Sequence, residues 1–256
     1  MEDLTLLYYT ANNINETAGE NIRQHLIKTN NGKYPIISVS QKPINLDQNI
    51  CVGEIGMSSY NCYKQILTGA YEVKTKYIAC CEDDALYTME HFSFRPPDEK
   101  TFLYNINMWF AEDIQFWHKN DTGMLTCICP TSYLIDTLKV RFEKFPNPIA
   151  GKDKEVYRYF QEPGKFDRNF GIPNANFAYF RTKTPIPVFN YRGSLHGKMG
   201  AKEVERVFAN PLDGWGDSIT LWNKFWGTNF DKKWNRHITG ETSSSRMEKY
   251  HETLAK

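Results

Sequence analysis

Three short, apolar, β-prone runs stand out in the amino-terminal third of the chain. They are LTLLYYT (4–10), YPIISVSQ (34–41) and KYIACC (76–81). Apolar runs of this length are typical of strands buried inside an α/β domain. The pattern therefore predicts three buried strands.

Segments with helical spacing of apolar residues separate these runs. The first predicted helix faces inward with Ile22, Leu26 and Ile27, and it ends at Asn30-Asn31-Gly32. The second, SSYNCYKQILTGAYEV, faces inward with Tyr63, Ile66, Leu67 and Ala70. The order strand, helix, strand, loop, helix, strand is typical of an α/β fold with a parallel sheet wrapped by helices.

The pattern changes after the third strand. TFLYNINMWFA (101–111) and MLTCIC (124–129) are predicted as strands of an antiparallel hairpin around the turn-like stretch KNDTG. A helix over 130–145 follows, with Leu134, Leu138 and Phe142 at helical spacing. NFAYFRTK and PIPVFNYR are predicted as late strands. The sheet is therefore expected to be mixed, although mostly parallel.

Composition excludes several classes of protein. The 256 residues are 41% hydrophobic, which is enough for one sizeable core, and the net charge of +1 gives no overall field for a polyanion. No apolar run approaches about 20 residues, and the first residues are acidic where a secretory signal is basic, so neither a membrane span nor a signal peptide is expected. The six cysteines form no CxxC pair and are interpreted as reduced, mostly buried thiols of a cytoplasmic protein.

Three consecutive carboxylates, Glu82, Asp83 and Asp84, follow the third strand directly. Ligands of open α/β sheets bind at the carboxyl edge of the strands, which is where this triplet lies. Glu82 and Asp84 are expected to point to one side, and a divalent cation would relieve their repulsion. Oxygen ligands suit Mg²⁺ or Mn²⁺ bound together with phosphate. The alternative interpretation is a solvated acidic turn or a helix N-terminus.

The residues around the triplet resemble a known family. KYIACCEDDALY resembles the DxD-type motif of GT-A fold glycosyltransferases, and NCYKQILTGAYEVKTKYIACCEDDALYTMEHFSF resembles a bacterial and phage group of family 2-like enzymes. YNINMWF (104–110) resembles a Tyr-Asn-x-Asn-x-Trp strand of the same group. The resemblance covers about residues 58–110. Lys64 replaces an arginine of the group, and Asp83 replaces a histidine.

The resemblance implies a donor site for a nucleotide-diphosphate sugar. In such enzymes Mn²⁺ or Mg²⁺ bridges the diphosphate to the acidic motif, so Asp84 would be the main metal ligand and Glu82 a second ligand or a ribose contact, beside Asp83. Further donor contacts are implied for Thr10, Ala11, Asn12, Ser58, Ser59 and Lys64. The alternatives are helix capping for the serines and a solvated helix face for the lysine.

A late histidine often completes the metal site in this family. RGSLHGKMG (192–200) offers His196 as the third metal ligand and Lys198 as a phosphate contact. An ordinary loop histidine is the alternative for His196. His91, which matches a packing position of the group, is expected to be structural.

An inverting transferase needs a carboxylate base beside the acceptor hydroxyl, whereas a retaining one does not. FQEPGKFD (160–167) offers Glu162 before a Pro-Gly turn, and LDGWGDS (212–218) offers Asp213 and Asp217. We expect Glu162 to be the base and Asp217 the second catalytic candidate. An ordinary surface carboxylate is the alternative for Glu162.

The segment 215–237 interleaves aromatic residues with cations, a pattern typical of sugar stacking or of unstacked bases with phosphate contacts. One hypothesis for the acceptor is therefore a hydroxymethylated pyrimidine in phage DNA. The residues concerned are Trp222, Trp226, Lys232, Lys233 and Arg236. The two tryptophans are four residues apart, so helix packing is the alternative for them.

The sequence is also compatible with other functions. They are glycosylation of a cell-surface glycan, nucleotidyl transfer to a sugar phosphate, and a non-enzymatic DNA- or sugar-binding module. Residues 1–240 are expected to form one catalytic domain, with donor binding in 1–110 and acceptor binding in 111–240, followed by a tail at 241–256. The location is expected to be the cytoplasm, that of the host if a phage encodes the protein.

Overall fold

The structure is a computed structural model that describes residues 3–112, 114–118, 122–147, 162–164, 167, 175–191 and 207–227. The described strands are β1 (Leu4–Thr10), β2 (Ile36–Ser40), β3 (Gln48–Cys51), β4 (Tyr77–Glu82), β5 (Thr101–Asn105), β6 (Met108–Ala111), β7 (Phe116–His118), β8 (Cys127–Pro130), β9 (Asn176–Phe180), β10 (Ile186–Phe189) and β11 (Val207–Ala209). The described α-helices are α1 (Glu16–Asn30), α2 (Ser59–Ala70), α3 (Thr131–Lys144) and α4 (Ser218–Trp226). The proposed boundary at residue 240 and the tail lie outside these ranges.

A seven-stranded sheet in the order β3-β2-β1-β4-β8-β5-β9 forms the centre of the fold. The first four strands run parallel to one another, β8 runs antiparallel to both of its neighbours, and β9 is parallel to β5. Helices flank this sheet. The prediction of an α/β fold with a mixed, mostly parallel central sheet is confirmed.

The alternation of side chains gives the central sheet two apolar faces. On one face Tyr9 and Cys80 belong to a core that includes residues of α2 and α3. On the other, Tyr8 and Cys81 belong to a core with Leu26 of α1 and with residues of β6 and β10. Cys80 and Cys81 therefore point to opposite faces, as predicted for neighbours in a strand. All six cysteines are free thiols.

The predicted strand over 101–111 is in fact two strands in two sheets. β5 belongs to the central sheet, whereas β6 belongs to a four-stranded sheet in the order β10-β6-β7-β11. Asn105 causes the break, because its side-chain oxygen accepts the N–H of Asn107 at 2.9 Å while its amide donates to the Thr182 hydroxyl at 2.9 Å. The predicted hairpin is also wrong: β5 and β8 pair antiparallel, but β6 and β7 lie between them in the chain.

The helices agree with their sequence signals, with one exception. Asn15 caps α1 by accepting the N–H of Ala18 at 3.1 Å, and Asn31 ends it with a left-handed φ of 47°. Ile22 and Leu26 are buried as predicted, but Ile27 is 39% exposed. Strand β3 was missed by the sequence pattern, since its side chains are exposed or only half-buried. Among the described helices, none has the length and apolar character that crossing a bilayer would require.

Candidate functional site at the carboxyl edge of the central sheet

The acidic triplet lies beside the carboxyl end of β1, in the parallel part of the central sheet. Tyr9 of β1 is in register with Glu82 of β4. Because the two strands are parallel, Thr10 at the end of β1 and Asp83 directly after β4 lie at the same edge of the sheet. The sequence prediction that the triplet lies at a sheet edge is therefore confirmed.

Glu82 is held from two sides. The Tyr9 hydroxyl donates a hydrogen bond of 2.7 Å to its Oε1. Its backbone N–H donates at 3.0 Å to the hydroxyl of Tyr87, which in turn donates to the carbonyl of Leu125 at 3.0 Å. The carboxylate therefore has a fixed place at the end of β4.

Asp83 faces the end of β1. It is 8% exposed and accepts a hydrogen bond from the hydroxyl of Thr10. The same hydroxyl oxygen accepts the N–H of Asn12 at 2.8 Å. The positive charge of Arg23 on α1 acts on Asp83 as well. The middle carboxylate of the triplet is therefore engaged with β1 and α1.

Asp84 is the most deeply buried member of the triplet, at 4% exposure. Its carbonyl accepts the N–H of Phe189 at 2.7 Å, which ties the end of β4 to β10 of the second sheet. Its side-chain Oδ1 is buried and has no hydrogen-bond partner within the described part of the chain. A carboxylate oxygen left in this way carries a large desolvation cost unless a ligand contacts it.

Burial is the main cause of the raised pKa values of the three carboxyl groups. It raises the pKa of Glu82 to about 7 and that of Asp83 to about 6. The pKa of Asp84 is raised well above its usual range by burial and then by the charges of Glu82 and Asp83. An added positive charge at this edge would lower all three pKa values.

Tyr191 and Cys62 lie close to the carboxylates, and the sequence reasoning missed both. The Tyr191 hydroxyl donates at 3.2 Å to the side chain of Asn13. Burial, followed by the charges of the triplet, raises the pKa of Tyr191. Burial and then the charges of the triplet and of Glu162 raise the pKa of the Cys62 thiol. No local signal marks these two residues, because they come from distant parts of the chain.

Gln65 and Asn12 shape the edge beside the triplet. The Gln65 amide donates to the carbonyls of Thr10, at 2.8 Å, and Val39, at 3.2 Å, and so joins the ends of β1 and β2 to α2. Asn12, with a left-handed φ of 55°, accepts the N–H groups of Gln41 and Lys42 at 2.8 Å each. The side-chain oxygen of Asn12 is thus engaged by the backbone after β2.

The predicted donor contacts on α2 lie at the start of the helix and on its exposed face. Ser58 is the N-cap, because its side chain accepts the N–H of Asn61 at 3.1 Å, and Ser59 is the first residue of the helix. Lys64 is exposed between the buried Tyr63 and Gln65. Capping and a solvated helix face are thus what the geometry shows for Ser58 and Lys64.

The two candidate bases differ in their surroundings. The negative charge of Glu162 contributes, after burial and Asp83, to the raised pKa of Glu82, so Glu162 is near enough to the triplet to act on it. Asp217 instead caps α4 by accepting the N–H of Thr220 at 2.9 Å, and these hydrogen bonds lower its pKa. A carboxylate with a lowered pKa is a weak base, so the geometry favours Glu162.

The aromatic residues of α4 mostly belong to the core, which corrects one part of the acceptor prediction. Trp222 is 2% exposed, donates its indole N–H to the carbonyl of Glu112 at 3.1 Å, and packs on Phe189. It is therefore a core residue with no surface for an acceptor, whereas Trp226 is half-buried.

His91 is also buried and stacks on Phe180, which agrees with the structural role expected for it. Five predicted site residues lie outside the described residues: His196, Lys198, Lys232, Lys233 and Arg236.

The described residues do not form a complete set of metal ligands. No group of three or more His, Cys, Asp or Glu side chains among them is arranged to hold a metal ion. The unpartnered Oδ1 of Asp84 and the neighbouring carboxylate of Glu82 are nevertheless oxygen ligands of the kind that Mg²⁺ and Mn²⁺ prefer. Asp84 and Glu82 would fit a hard divalent cation, and phosphate oxygens or water would have to fill its other coordination positions.

No protein-family model matches the chain, and no curated protein matches it. Among solved structures, it is similar to a glycosyltransferase involved in the glycosylation of the major capsid of PBCV-1, with 8% identity and a TM-score of 0.47 over 73% of this chain and 93% of that chain. S. aureus TarS 1–349 in complex with UDP-GlcNAc has 9% identity and a TM-score of 0.43 over 77% and 61%, respectively. The bifunctional IspDF from Campylobacter jejuni has 8% identity and a TM-score of 0.37 over 71% and 50%. At these scores the likenesses assign neither an activity nor a substrate to this chain.

Proposed function

We propose that the chain is a metal-dependent glycosyltransferase that moves a sugar from a nucleotide-diphosphate sugar to an acceptor hydroxyl. One observation carries the proposal. Two buried carboxylates, Asp83 and Asp84, and the half-buried Glu82 crowd the carboxyl edge of the parallel strands, and Oδ1 of Asp84 has no partner among the described residues. Such an arrangement is unfavourable on its own and becomes favourable when a cation and its anionic ligand are bound.

The chemistry of the donor explains why the cation and the carboxylates belong together. When bound, the cation neutralises the charge that develops on the leaving diphosphate. Asp84 is proposed as the main ligand because its free oxygen is buried at the edge. Glu82 is proposed as the second ligand, oriented by the Tyr9 hydroxyl. His196 as a third ligand and Lys198 as a phosphate contact extend the proposal on the resemblance of their sequence alone.

The nucleotide is proposed to lie over the ends of β1 and β4. Thr10, Ala11 and Asn12 form the turn at the end of β1, and Asn12 fixes the backbone of Gln41 against it. Asp83 supports this turn through Thr10. A rigid edge of this kind suits the recognition of a planar base and a ribose, because little order has to be gained on binding. Ser58, which caps α2, and the exposed Lys64 are secondary donor contacts in this proposal on the resemblance of their sequence alone.

Glu162 is proposed as the base that takes the proton from the acceptor hydroxyl. Its charge acts on Glu82, and burial raises the pKa of the groups around it. Asp217 is not needed for this role, since it caps α4. A base at this place implies inversion at the transferred sugar carbon.

The acceptor is proposed to be a hydroxymethylated pyrimidine in phage DNA. The cations Lys232, Lys233 and Arg236, together with Trp226, support this only through the pattern of their sequence. The test is a mass shift on DNA that contains hydroxymethylated pyrimidines, compared with the same DNA without them. A mass shift on a cell-surface glycan instead would show that the glycan is the acceptor, and it would leave the proposal for the donor unchanged.

The donor chemistry is tested first. The protein is incubated with Mn²⁺ and a panel of nucleotide-diphosphate sugars that includes UDP-glucose and UDP-GlcNAc, and the release of nucleoside diphosphate is measured. Asp84→Asn should abolish the release, whereas Asp136→Asn, on the exposed side of α3, should not change it. Release of pyrophosphate from a nucleoside triphosphate and a sugar phosphate would indicate a nucleotidyltransferase. If neither nucleoside diphosphate nor pyrophosphate is released, the protein would be interpreted as a non-enzymatic binding module.

A further inference from the structure

A buried ion pair joins α3 to the segment that carries Glu162. Nη2 of Arg141 lies 2.7 Å from Oδ1 of Asp167, and the two side chains are 2% and 3% exposed. The Arg141 guanidinium also lies 5.7 Å from the centre of the Tyr63 ring on α2. A buried ion pair contributes little net stability compared with apolar residues of similar size. Its effect on geometry is therefore the better explanation for its presence.

The second oxygen of Asp167 holds the backbone of the neighbouring turn. Oδ2 accepts the N–H of Gly164 at 2.7 Å and that of Ala175 at 3.5 Å, just before β9. Asp167 thus connects Arg141 on a rigid helix to the turn 162–164. The turn takes its position from α3 through a single carboxylate.

The opposite side of the turn is held as well. The Tyr104 hydroxyl of β5 donates to the carbonyl of Pro163 at 3.1 Å. Gly164 has a φ of +96°, and a Cβ there would lie 2.6 Å from Cδ1 of Phe177 and 2.9 Å from the carbonyl oxygen of Ala175. The turn therefore packs with its backbone directly against β9, in a conformation that favours glycine.

Glu162 is the residue that enters this turn. It precedes Pro163, whose carbonyl is fixed by Tyr104, and its charge reaches Glu82 at the end of β4 and Cys62 on α2. Displacement of the turn by even about 1 Å would move this carboxylate away from the acidic edge, and such a shift of a catalytic group lowers rates by about a hundredfold.

We propose that the Arg141–Asp167 ion pair is a positioning device that fixes the turn 162–164 and so keeps Glu162 near the carboxylates at the end of β4. The role of Glu162 as a base rests on the proposed function, whereas the positioning of its turn does not. Arg141 and Asp167 are positioning residues, since they act on Glu162 through the backbone of Gly164.

Hydrogen exchange tests the positioning without any substrate. The double variant Arg141→Met with Asp167→Asn removes both charges and keeps similar volumes, so it avoids the unpaired buried charge that could unfold a single variant. The peptide that carries Gly164 should exchange about tenfold faster or more in this variant. Arg141→Lys alone, which keeps the charge opposite Asp167, should keep most of the wild-type protection. Glu99→Gln, which breaks the exposed Lys76–Glu99 pair, is the matched control. Unchanged exchange in the folded double variant would overturn the proposal.

Kinetics test the consequence for Glu162, with water as the acceptor. With Mn²⁺ and UDP-glucose or UDP-GlcNAc, the double variant should release UDP about ten- to a hundredfold more slowly, with the donor KM within about twofold. In a Glu162→Gln background the double variant should cause no further loss, because the group that it positions is already gone. Equal losses with and without Glu162 would indicate a general structural role and overturn the proposal.

The two proposals fail in distinguishable ways. If the wild-type protein releases no nucleoside diphosphate from any donor, the proposed function is wrong, and the exchange data still decide whether the ion pair holds the turn. If the wild-type protein is active but the double variant keeps its full rate, the ion pair does not position Glu162, and the glycosyltransferase proposal stands.

Discussion

The hydroxyl of Tyr9 donates a hydrogen bond of 2.7 Å to Oε1 of Glu82 across the parallel pair β1 and β4. Tyr9 itself is buried among the residues that α2 and α3 cover. The packing of the core thereby fixes one carboxylate at the sheet edge. An outer group that orients a metal ligand in this way strengthens metal binding.

Tyr9→Phe should weaken the binding of Mn²⁺ together with UDP by about tenfold, because Glu82 loses the donor that orients it. Isothermal titration calorimetry with both ligands present gives the measurement. Tyr71→Phe is the control, since Tyr71 is 50% exposed at the end of α2. An unchanged affinity in Tyr9→Phe would show that Glu82 is not part of a metal site.

Binding of the cation and of the nucleotide should depend on each other. In the proposed site Asp84 and Glu82 leave several coordination positions of the cation open, and phosphate oxygens of the nucleotide would fill some of them. We therefore expect Mn²⁺ to bind at least about tenfold more tightly with saturating UDP than alone, and a chelator to weaken UDP binding by the same factor. Tight Mn²⁺ binding without UDP would contradict this arrangement.

Local patterns predicted the strands and helices that depend on local order. Residues within a single element determine the apolar runs of β1, β2 and β4 and the apolar faces of α1 to α3. The edge position of Glu82 to Asp84 was also predictable, because these residues directly follow the run of β4. The break between β5 and β6 was not predictable, because it depends on Asn105 contacting Thr182, 77 residues away. Tyr191 was missed at the site for the same reason, since its partner Asn13 is 178 residues away.

Gly69 sets the distance between α2 and the central sheet. A Cβ at this position would overlap with the Leu7 side chain of β1 and lie 2.8 Å from Cγ2 of Val39 on β2. Gly69→Ala should therefore destabilise the protein by about 1–3 kcal/mol, although alanine is the better helix former. Urea unfolding measures the change, with Thr68→Ala as the neighbouring control. An unchanged or raised stability would show that α2 is free to move away from the sheet.

His91 should make the protein less stable in acid. Burial lowers the pKa of His91 to about 3, so below pH 6.5 the unfolded chain binds a proton that the folded protein does not. Stability from this residue is complete above about pH 6.5 and falls by about 1.4 kcal/mol per pH unit as the pH decreases towards 3.

The variant His91→Phe removes this titration and keeps an aromatic ring beside Phe180. The stability of the variant relative to wild type should improve by about 2 kcal/mol between pH 7.5 and pH 5. Unfolding free energies at the two pH values give the difference, in which the other titrating groups cancel. A difference that does not depend on pH would show that the folded protein accommodates a charged His91.

Substitution of Glu162 should lower the reaction rate, whereas substitution of Asp217 should lower the stability of the protein. Glu162→Gln keeps the shape of the side chain and removes the base, so the release of UDP from a UDP-sugar should fall by about a hundredfold or more while the melting temperature changes little. Asp217→Ala removes the cap of α4 and should cost about 1 kcal/mol of stability while the rate per folded molecule is kept. Rates and thermal melts of the two variants, measured side by side, decide the assignment. A large loss of rate in Asp217→Ala with full activity in Glu162→Gln would exchange their roles, and it would place the base on α4 rather than on the turn that Arg141 and Asp167 hold.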